Sequence, residues 1–166
     1  VVFDKTGTLT EGRPELVNLG EQSRRDLEIA LALAEASAHP LAQALAEEAR
    51  RAGIRAARVS GLTEVPGYGV EAQLGGETLR LGRARWVGAT PGPETATWLK
   101  IGDRAPIAFR FTDHLRDGAL EAVAALAATG KRVILLSGDT EAAVADIARR
   151  SGIPEWRAEV LPDEKA

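Results

Sequence analysis

Two short apolar runs, each stopping abruptly at a polar residue, constrain this chain most. Val1-Val2-Phe3 ends at Asp4, and Val133-Ile134-Leu135-Leu136 ends at Ser137-Gly138-Asp139. Unbroken apolar runs of this kind belong to strands buried on both faces of a parallel sheet. Each strand would deliver a polar residue to its carboxyl end, and a loop over residues 5–12 would follow the first. After Asp113, Leu120, Val123, Ala124 and Ala127 recur at helical spacing, with Gly130 as a stop signal. Val144, Ile147 and Ala148 share one face of a further helix. The order strand, helix, strand, helix predicts an α/β module with a parallel sheet.

Between these halves the texture changes. Leu27, Ala30, Leu31 and Ala34 repeat at helical spacing, and Leu41, Ala44, Leu45 and Ala49 do so again after the His39-Pro40 break. From 59 to 111 short apolar stretches alternate with glycine-rich turns, among them Leu74-Gly75-Gly76-Glu77, which predicts a hairpin. The expectation is two modules: residues 1–12 with 112–166, and an inserted α+β unit at 13–111 made of a helix pair and an antiparallel sheet.

Composition narrows the function classes. With 166 residues, 45% hydrophobic and 27% charged, and a net charge of -3, the chain has the make-up of a globular protein without a basic patch for nucleic acid. It contains no cysteine, so disulfides, thiolate metal sites and a cysteine nucleophile do not arise within it. No apolar run approaches the roughly 20 residues that a membrane helix needs. A buried-looking strand at the first residue and an end inside Asp163-Glu164-Lys165-Ala166 suggest a piece of something longer.

In open parallel sheets, ligands bind beyond the carboxyl ends of the strands. Asp4 and Ser137 are both expected there. An acid at a strand end is by itself more commonly a turn cap than a nucleophile, and its neighbours decide. Thr6, Gly7 and Thr8 bring hydroxyls and unobstructed amides, Ser137 brings another hydroxyl, and Lys165 brings a positive charge, which together suit attack on phosphorus.

Asp4-Lys5-Thr6-Gly7-Thr8-Leu9-Thr10 resembles, at every position, the phosphorylation signature of the P-type ATPases. These belong to the haloacid-dehalogenase-like superfamily, whose sites combine a nucleophilic Asp, a later Ser or Thr and a Lys after that. The resemblance implies a Rossmann-like phosphorylation domain with an incomplete C-terminus, carrying an inserted nucleotide-binding domain. It implies that Asp4 takes the γ-phosphoryl of ATP, Ser137 hydrogen-bonds it and Lys165 neutralises it. Lys5 and Thr6 would complete the catalytic set, and Thr8, Gly138 and Asp139 would help hold the nucleotide. Superfamily phosphatases carry a second Asp two residues after the nucleophile, where this chain has Thr6. Threonine does not activate water efficiently, so the aspartyl phosphate is expected to persist.

Ser37-Ala38-His39-Pro40 resembles the Ser-Glu-His-Pro signature of the heavy-metal-transporting branch, and Gly67-Tyr68-Gly69 resembles the glycine pair of its nucleotide-binding domain. Read alone, His39 is a residue before a helix-initiating Pro, and the glycines are a hairpin turn. Read jointly, they imply that His39 contacts adenine and that Gly67 and Gly69 let backbone approach the nucleotide. Ala38 and Ala34 stand where the family carries Glu. Glu35 is one position off, about 100° around the helix, and its role as an ATP ligand is in doubt.

Thr112-Asp113-His114-Leu115-Arg116 resembles the segment by which the chain re-enters the phosphorylation domain. Asp113 and Arg116 are expected either to order that face or to form a solvated i,i+3 pair. The family's Gly-Asp-Gly segment, with a further Asp for magnesium, does not occur before the last residue. Asp4 and the carbonyl of Thr6 would be the only magnesium ligands, and slow or absent turnover of ATP is the expectation for the isolated chain. The implied partners are ATP, a transported metal ion, and transmembrane and actuator domains of the same polypeptide, on the cytoplasmic side of a bacterial inner membrane. Copper is the first reading of the ion, because Ser-x-His-Pro, Ser-Gly-Asp and the 152–158 run resemble the subgroup serving respiratory oxidase assembly. Zinc or cadmium stays open, and so do a soluble phosphatase and a nucleotide-binding module without catalysis.

Overall fold

The apolar runs do form parallel strands. The computed structural model describes residues 1–160. In chain order these form β1 (Val2–Asp4), a wide turn (Lys5–Leu9), β2 (Thr10–Leu16), α1 (Arg24–Ala34), α2 (Pro40–Arg51), β3 (Ser60–Val65), β4 (Gly69–Leu74), β5 (Glu77–Gly82), β6 (Thr95–Ile101), β7 (Ile107–Leu115), α3 (Ala119–Ala128), β8 (Ile134–Leu136), α4 (Glu141–Ser151) and β9 (Glu155–Arg157). Two compact units result. One holds Val1–Arg13, Pro93–Thr95 and the chain from Asp113 on; the other holds Pro14–Gly92 and Ala96–Thr112.

The first unit is built on a three-stranded sheet in the order β1-β8-β9, parallel throughout. Phe3 pairs with Leu135 and Asp4 with Leu136, so Ser137 follows one residue beyond the level of Asp4. Leu135, Val133, Val144, Ile147, Val123 and Leu9 close the core. The stop at Gly130 works as its φ of 74° allows, with its N–H donating to the carbonyl of Ala127. Acidic Glu141 opens α4 and basic Arg149 and Arg150 close it, matching the helix dipole at both ends.

Most of a six-stranded sheet, β2-β7-β6-β5-β4-β3, belongs to the second unit. Its β3–β4, β4–β5 and β5–β6 pairs are antiparallel, and Leu74 faces Glu77 across the expected hairpin. Alternate residues Val70 and Ala72, Leu79 and Leu81, Leu99 and Ile101, and Phe109 and Phe111 point into one core with α1 and α2. Ser23 caps α1 by accepting from the N–H of Asp26 at 3.2 Å. The loop read over 5–12 is shorter than expected, because β2 begins at Thr10. Gly12 and Pro14 disguise that strand, and its place at the edge of the sheet is what tolerates a proline without an N–H.

Candidate functional site

The first unit gathers its polar residues at the carboxyl ends of β1 and β8. Asp4 ends β1 and is exposed, as are Thr6, Gly7 and Thr8 in the turn that follows. Gly7 has a φ of 76°, a left-handed conformation that reverses the chain just past Asp4. Thr10 secures the far end of the turn, its hydroxyl donating to the carbonyl of Lys5 at 3.2 Å. Ser137, only 2% exposed, follows β8 directly. Its Oγ accepts from the N–H of Asp139 at 3.1 Å, which leaves the hydroxyl proton to donate elsewhere. A side chain at Gly138 would press on the carbonyl of Val160 at 3.3 Å, so that bend is tightly fitted.

Lys5 lies beneath this surface, 4% exposed. Its Nζ is 3.0 Å from Oδ2 of Asp113 and 2.5 Å from Oδ2 of Asp139. Burial works against the charged amine, but the hydrogen bonds to Asp139 and Asp113 outweigh it and hold the lysine above its ordinary pKa. Lys5 thus pairs with two carboxylates far apart in sequence, one on β7 and one in the loop that follows β8. The carbonyl of Asp113 also accepts from Arg150 at 3.0 Å, and Nε of Arg116 donates to the carbonyl of Thr10 at 3.1 Å. Of the two readings of Asp113 and Arg116, ordering of this face is the one that the contacts match. Lys165 lies outside the described residues.

In the second unit His39, Gly67 and Gly69 line one cleft of about 190 Å³. Of the two readings of His39, the helix-initiating one is seen directly, and the residue lines the cleft besides. It is the N-cap of α2, with Nδ1 accepting from the N–H of Leu41 at 3.2 Å, and it also faces the cleft. An imidazole whose Nδ1 accepts keeps its N–H at Nε2, so the free edge of the ring is a donor. Gly69 meets Gly82 across β4 and β5. A Cβ built on Gly69 would sit 2.1 Å from the carbonyl oxygen of Leu81, and one on Gly82 would sit 2.1 Å from that of Tyr68. Only a glycine pair permits this approach. Gly82 escaped the sequence reading, although a glycine inside an alternating strand pattern is a signal of close backbone approach. Glu64, Tyr68, Arg83 and Thr97 also line the cleft and were not singled out. Glu35 does not line it, and its carboxylate is held by Arg50.

A family model described as a haloacid dehalogenase-like hydrolase matches residues 1–166. The chain belongs to the haloacid dehalogenase-like hydrolases. Within that family it is similar to heavy-metal P-type ATPases. It is 37% identical over 181 residues to a probable cobalt/nickel-exporting P-type ATPase of Mycobacterium tuberculosis (strain ATCC 25618 / H37Rv), an alignment spanning 99% of this chain and 28% of that one. To the probable copper-transporting ATPase SynA of Synechococcus elongatus it is 36% identical over 178 residues, spanning 99% of this chain and 22% of that one. The chain thus spans about a quarter of the length of these curated relatives. This haloacid dehalogenase-like fold superposes on the catalytic domain of the CPx-ATPase CopB-B with a TM-score of 0.80 at 27% identity, covering 99% of this chain and 62% of that one. No helix among the described residues is long and apolar enough to cross a membrane.

Proposed function

We propose that this chain is the ATP-binding and autophosphorylating region of a heavy-metal-transporting P-type ATPase. The unit containing Asp4 would serve as phosphorylation domain, and the unit containing His39 as nucleotide-binding domain. The observation that carries this reading is the level pairing of Asp4 and Leu136, which sets an exposed carboxylate beside the buried hydroxyl of Ser137.

In this reading a carboxylate oxygen of Asp4 attacks the γ-phosphorus of ATP. The bond to the β–γ bridging oxygen breaks, ADP leaves, and an aspartyl phosphate remains. Ser137 donates a hydrogen bond to one oxygen of the transferred group, and the turn around Gly7 supplies backbone amides for the others. Lys165 would neutralise the transferred group. With Thr6 two residues beyond Asp4, no second carboxylate stands ready there to activate water, and the intermediate lasts long enough to drive a conformational change.

Among the described residues no group of three or more His, Cys, Asp or Glu side chains is placed to hold a metal ion. Magnesium commonly takes only one or two protein oxygens and completes its shell with phosphates and water, so Asp4 and the carbonyl of Thr6 fit that habit. Bound there, it would offset the repulsion between the carboxylate and the phosphates. The catalytic domain of CopB-B changes conformation upon nucleotide binding, which supports a nucleotide-binding role for this chain.

The cargo would cross through transmembrane and actuator domains of the same polypeptide, with this region on the cytoplasmic side of a bacterial inner membrane. Copper remains our first reading, supported by Ser137-Gly138-Asp139, Ser37-Ala38-His39-Pro40 and the similarity to SynA. Cobalt or nickel is the second, favoured by the mycobacterial relative. The test is labelling of the full-length protein with radioactive ATP. An acid-stable, hydroxylamine-sensitive phosphoenzyme is expected, absent in Asp4→Asn; no such species in the unmutated protein would end this reading.

A further inference from the structure

We propose that Glu64 is the residue by which the cleft selects adenine, its carboxylate accepting the exocyclic amine of the base. This rests on the reading of the cleft as a nucleotide site. The positions at which the resemblance implies a glutamate hold Ala34 and Ala38, and Glu35 is occupied by Arg50. The chain therefore lacks the acceptors expected on the helix side of the cleft. Among the described residues, Glu64, near the end of the edge strand β3, is the one carboxylate that lines it. Among the described residues no hydrogen bond or ion pair engages that carboxylate.

The other polar side chains of the cleft are donors or uncharged, weaker acceptors. His39 has its Nδ1 occupied by Leu41 and offers only a donor. The hydroxyl oxygen of Ser37 already accepts from the N–H of His39 at 3.1 Å, and Thr97 directs its hydroxyl at the carbonyl of Gly82 at 3.4 Å. An amine on the base needs an acceptor, and a carboxylate is the strongest one available.

Size and charge indicate which part of the nucleotide sits beside Glu64. The cleft, at about 190 Å³, falls below the roughly 300–1,000 Å³ of pockets that hold a whole drug-sized ligand. Its apolar walls, Leu41, Ala42, Val65, Leu81 and Ala96, suit a flat ring. A carboxylate against phosphates would repel them, so the base enters and the phosphates lie away from Glu64. The same carboxylate opposes a base with a carbonyl at that position, because two acceptors would then face each other.

The test is equilibrium binding of ATP, inosine triphosphate and 2′-deoxy-ATP to the whole chain and to Glu64→Ala and Glu64→Gln. The unmutated chain should prefer ATP to inosine triphosphate by roughly tenfold, the worth of one hydrogen bond to a charged group. Glu64→Ala should lose most of that factor for ATP and change inosine triphosphate by less than about twofold. Glu64→Gln, whose amide both accepts and donates, should draw the two affinities together. An unchanged preference in Glu64→Ala, or equal affinities in the unmutated chain, overturns the inference while leaving the cleft a nucleotide site. So does a change confined to the comparison of ATP with 2′-deoxy-ATP, which would assign Glu64 to the ribose. If no adenine nucleotide binds at all, both the inference and the reading beneath it fail.

Discussion

The two sites are built on opposite physical principles. Around Asp4 the determining element is a charge, the buried ammonium of Lys5 between Asp113 and Asp139. Around His39 it is an absence, the missing side chains of Gly69 and Gly82 that let two strands close to a distance no Cβ survives. The first is pre-organised electrostatics, fixed in place before any substrate arrives. The second is shape, a base-sized space with apolar walls and a few directed polar groups. The charge-built site should fail when an atom of the right kind is removed, and the space-built site when any atom is added.

The largest effect should come from adding one methyl group to the cleft. In Gly69→Ala the new Cβ would lie 2.1 Å from the carbonyl of Leu81 and 2.7 Å from Cα of Gly82, all rigid backbone. Nothing there can rotate away, so β4 and β5 must separate. Overpacking together with an unfavourable backbone angle should cost about 3–5 kcal/mol, read as a lower urea midpoint, and nucleotide affinity should fall with it. A loss under about 1 kcal/mol would mean that the strands yield and that space is not what limits this site.

Next in size is Lys5→Met, which keeps the length of the side chain and removes the charge. Two carboxylates would then face each other without a cation. Breaking a fully buried pair costs about 3–5 kcal/mol, and since Asp139 is 44% exposed, about 2–4 kcal/mol is expected here. The pH dependence has a definite sign. The folded-state pKa of Lys5 is raised above 10.5, so its contribution is complete at every pH below 10.5 and fades only as pH climbs through the higher folded value. The stability difference between the two proteins should be flat from neutral pH to about 10 and shrink beyond it. A difference that already shrinks between pH 7 and 9 would mean that Lys5 is not held as its contacts indicate.

Ser137→Ala should cost less, about 1 kcal/mol, because one hydrogen bond is lost, that from the N–H of Asp139. Labelling at Asp4 should fall by a larger factor than stability explains, with Ser137→Thr restoring most of it. Equal losses in both properties would reduce Ser137 to a structural part of the bend.

The same contrast decides what was legible in the sequence. The seven residues from Asp4 to Thr10 form one contiguous stretch on a strand end and its turn, so they could be picked out together as a candidate site. The parallel strands, helix pair and hairpin followed from apolar periodicity, which reports burial. Gly82 did not show, because its meaning depends on Gly69, which it meets only through the register of β4 and β5. Nor did the partners of Lys5 show, since Asp113 reaches it from the end of β7 and Asp139 from the loop after β8, with a helix and a strand between them in the chain. β2 was hidden by Gly12 and Pro14, whose local preferences favour a loop and are overridden by edge pairing with β7. Local patterns were readable, and contacts created by register were not.

The smallest expected effect is the sharpest test of where the cleft ends. Glu35 sits beside the positions at which the resemblance implies glutamates, so sequence proximity favours it as a nucleotide ligand. The structure turns it elsewhere: Oε1 takes both Nε of Arg50 at 3.2 Å and Nη2 at 3.0 Å, in a pair 38% and 54% exposed. An exposed pair of this kind contributes about 0.5 kcal/mol or less, because solvent screens it and two long side chains lose freedom. Glu35→Ala should therefore leave stability within that margin and ATP affinity unchanged, while Glu64→Ala changes the affinity. If Glu35→Ala instead weakened ATP by more than about threefold, the carboxylate would have to leave Arg50 on binding. The cleft would then be a site that reorganises around its ligand, and the contrast between a fixed shape and a fixed charge would no longer hold.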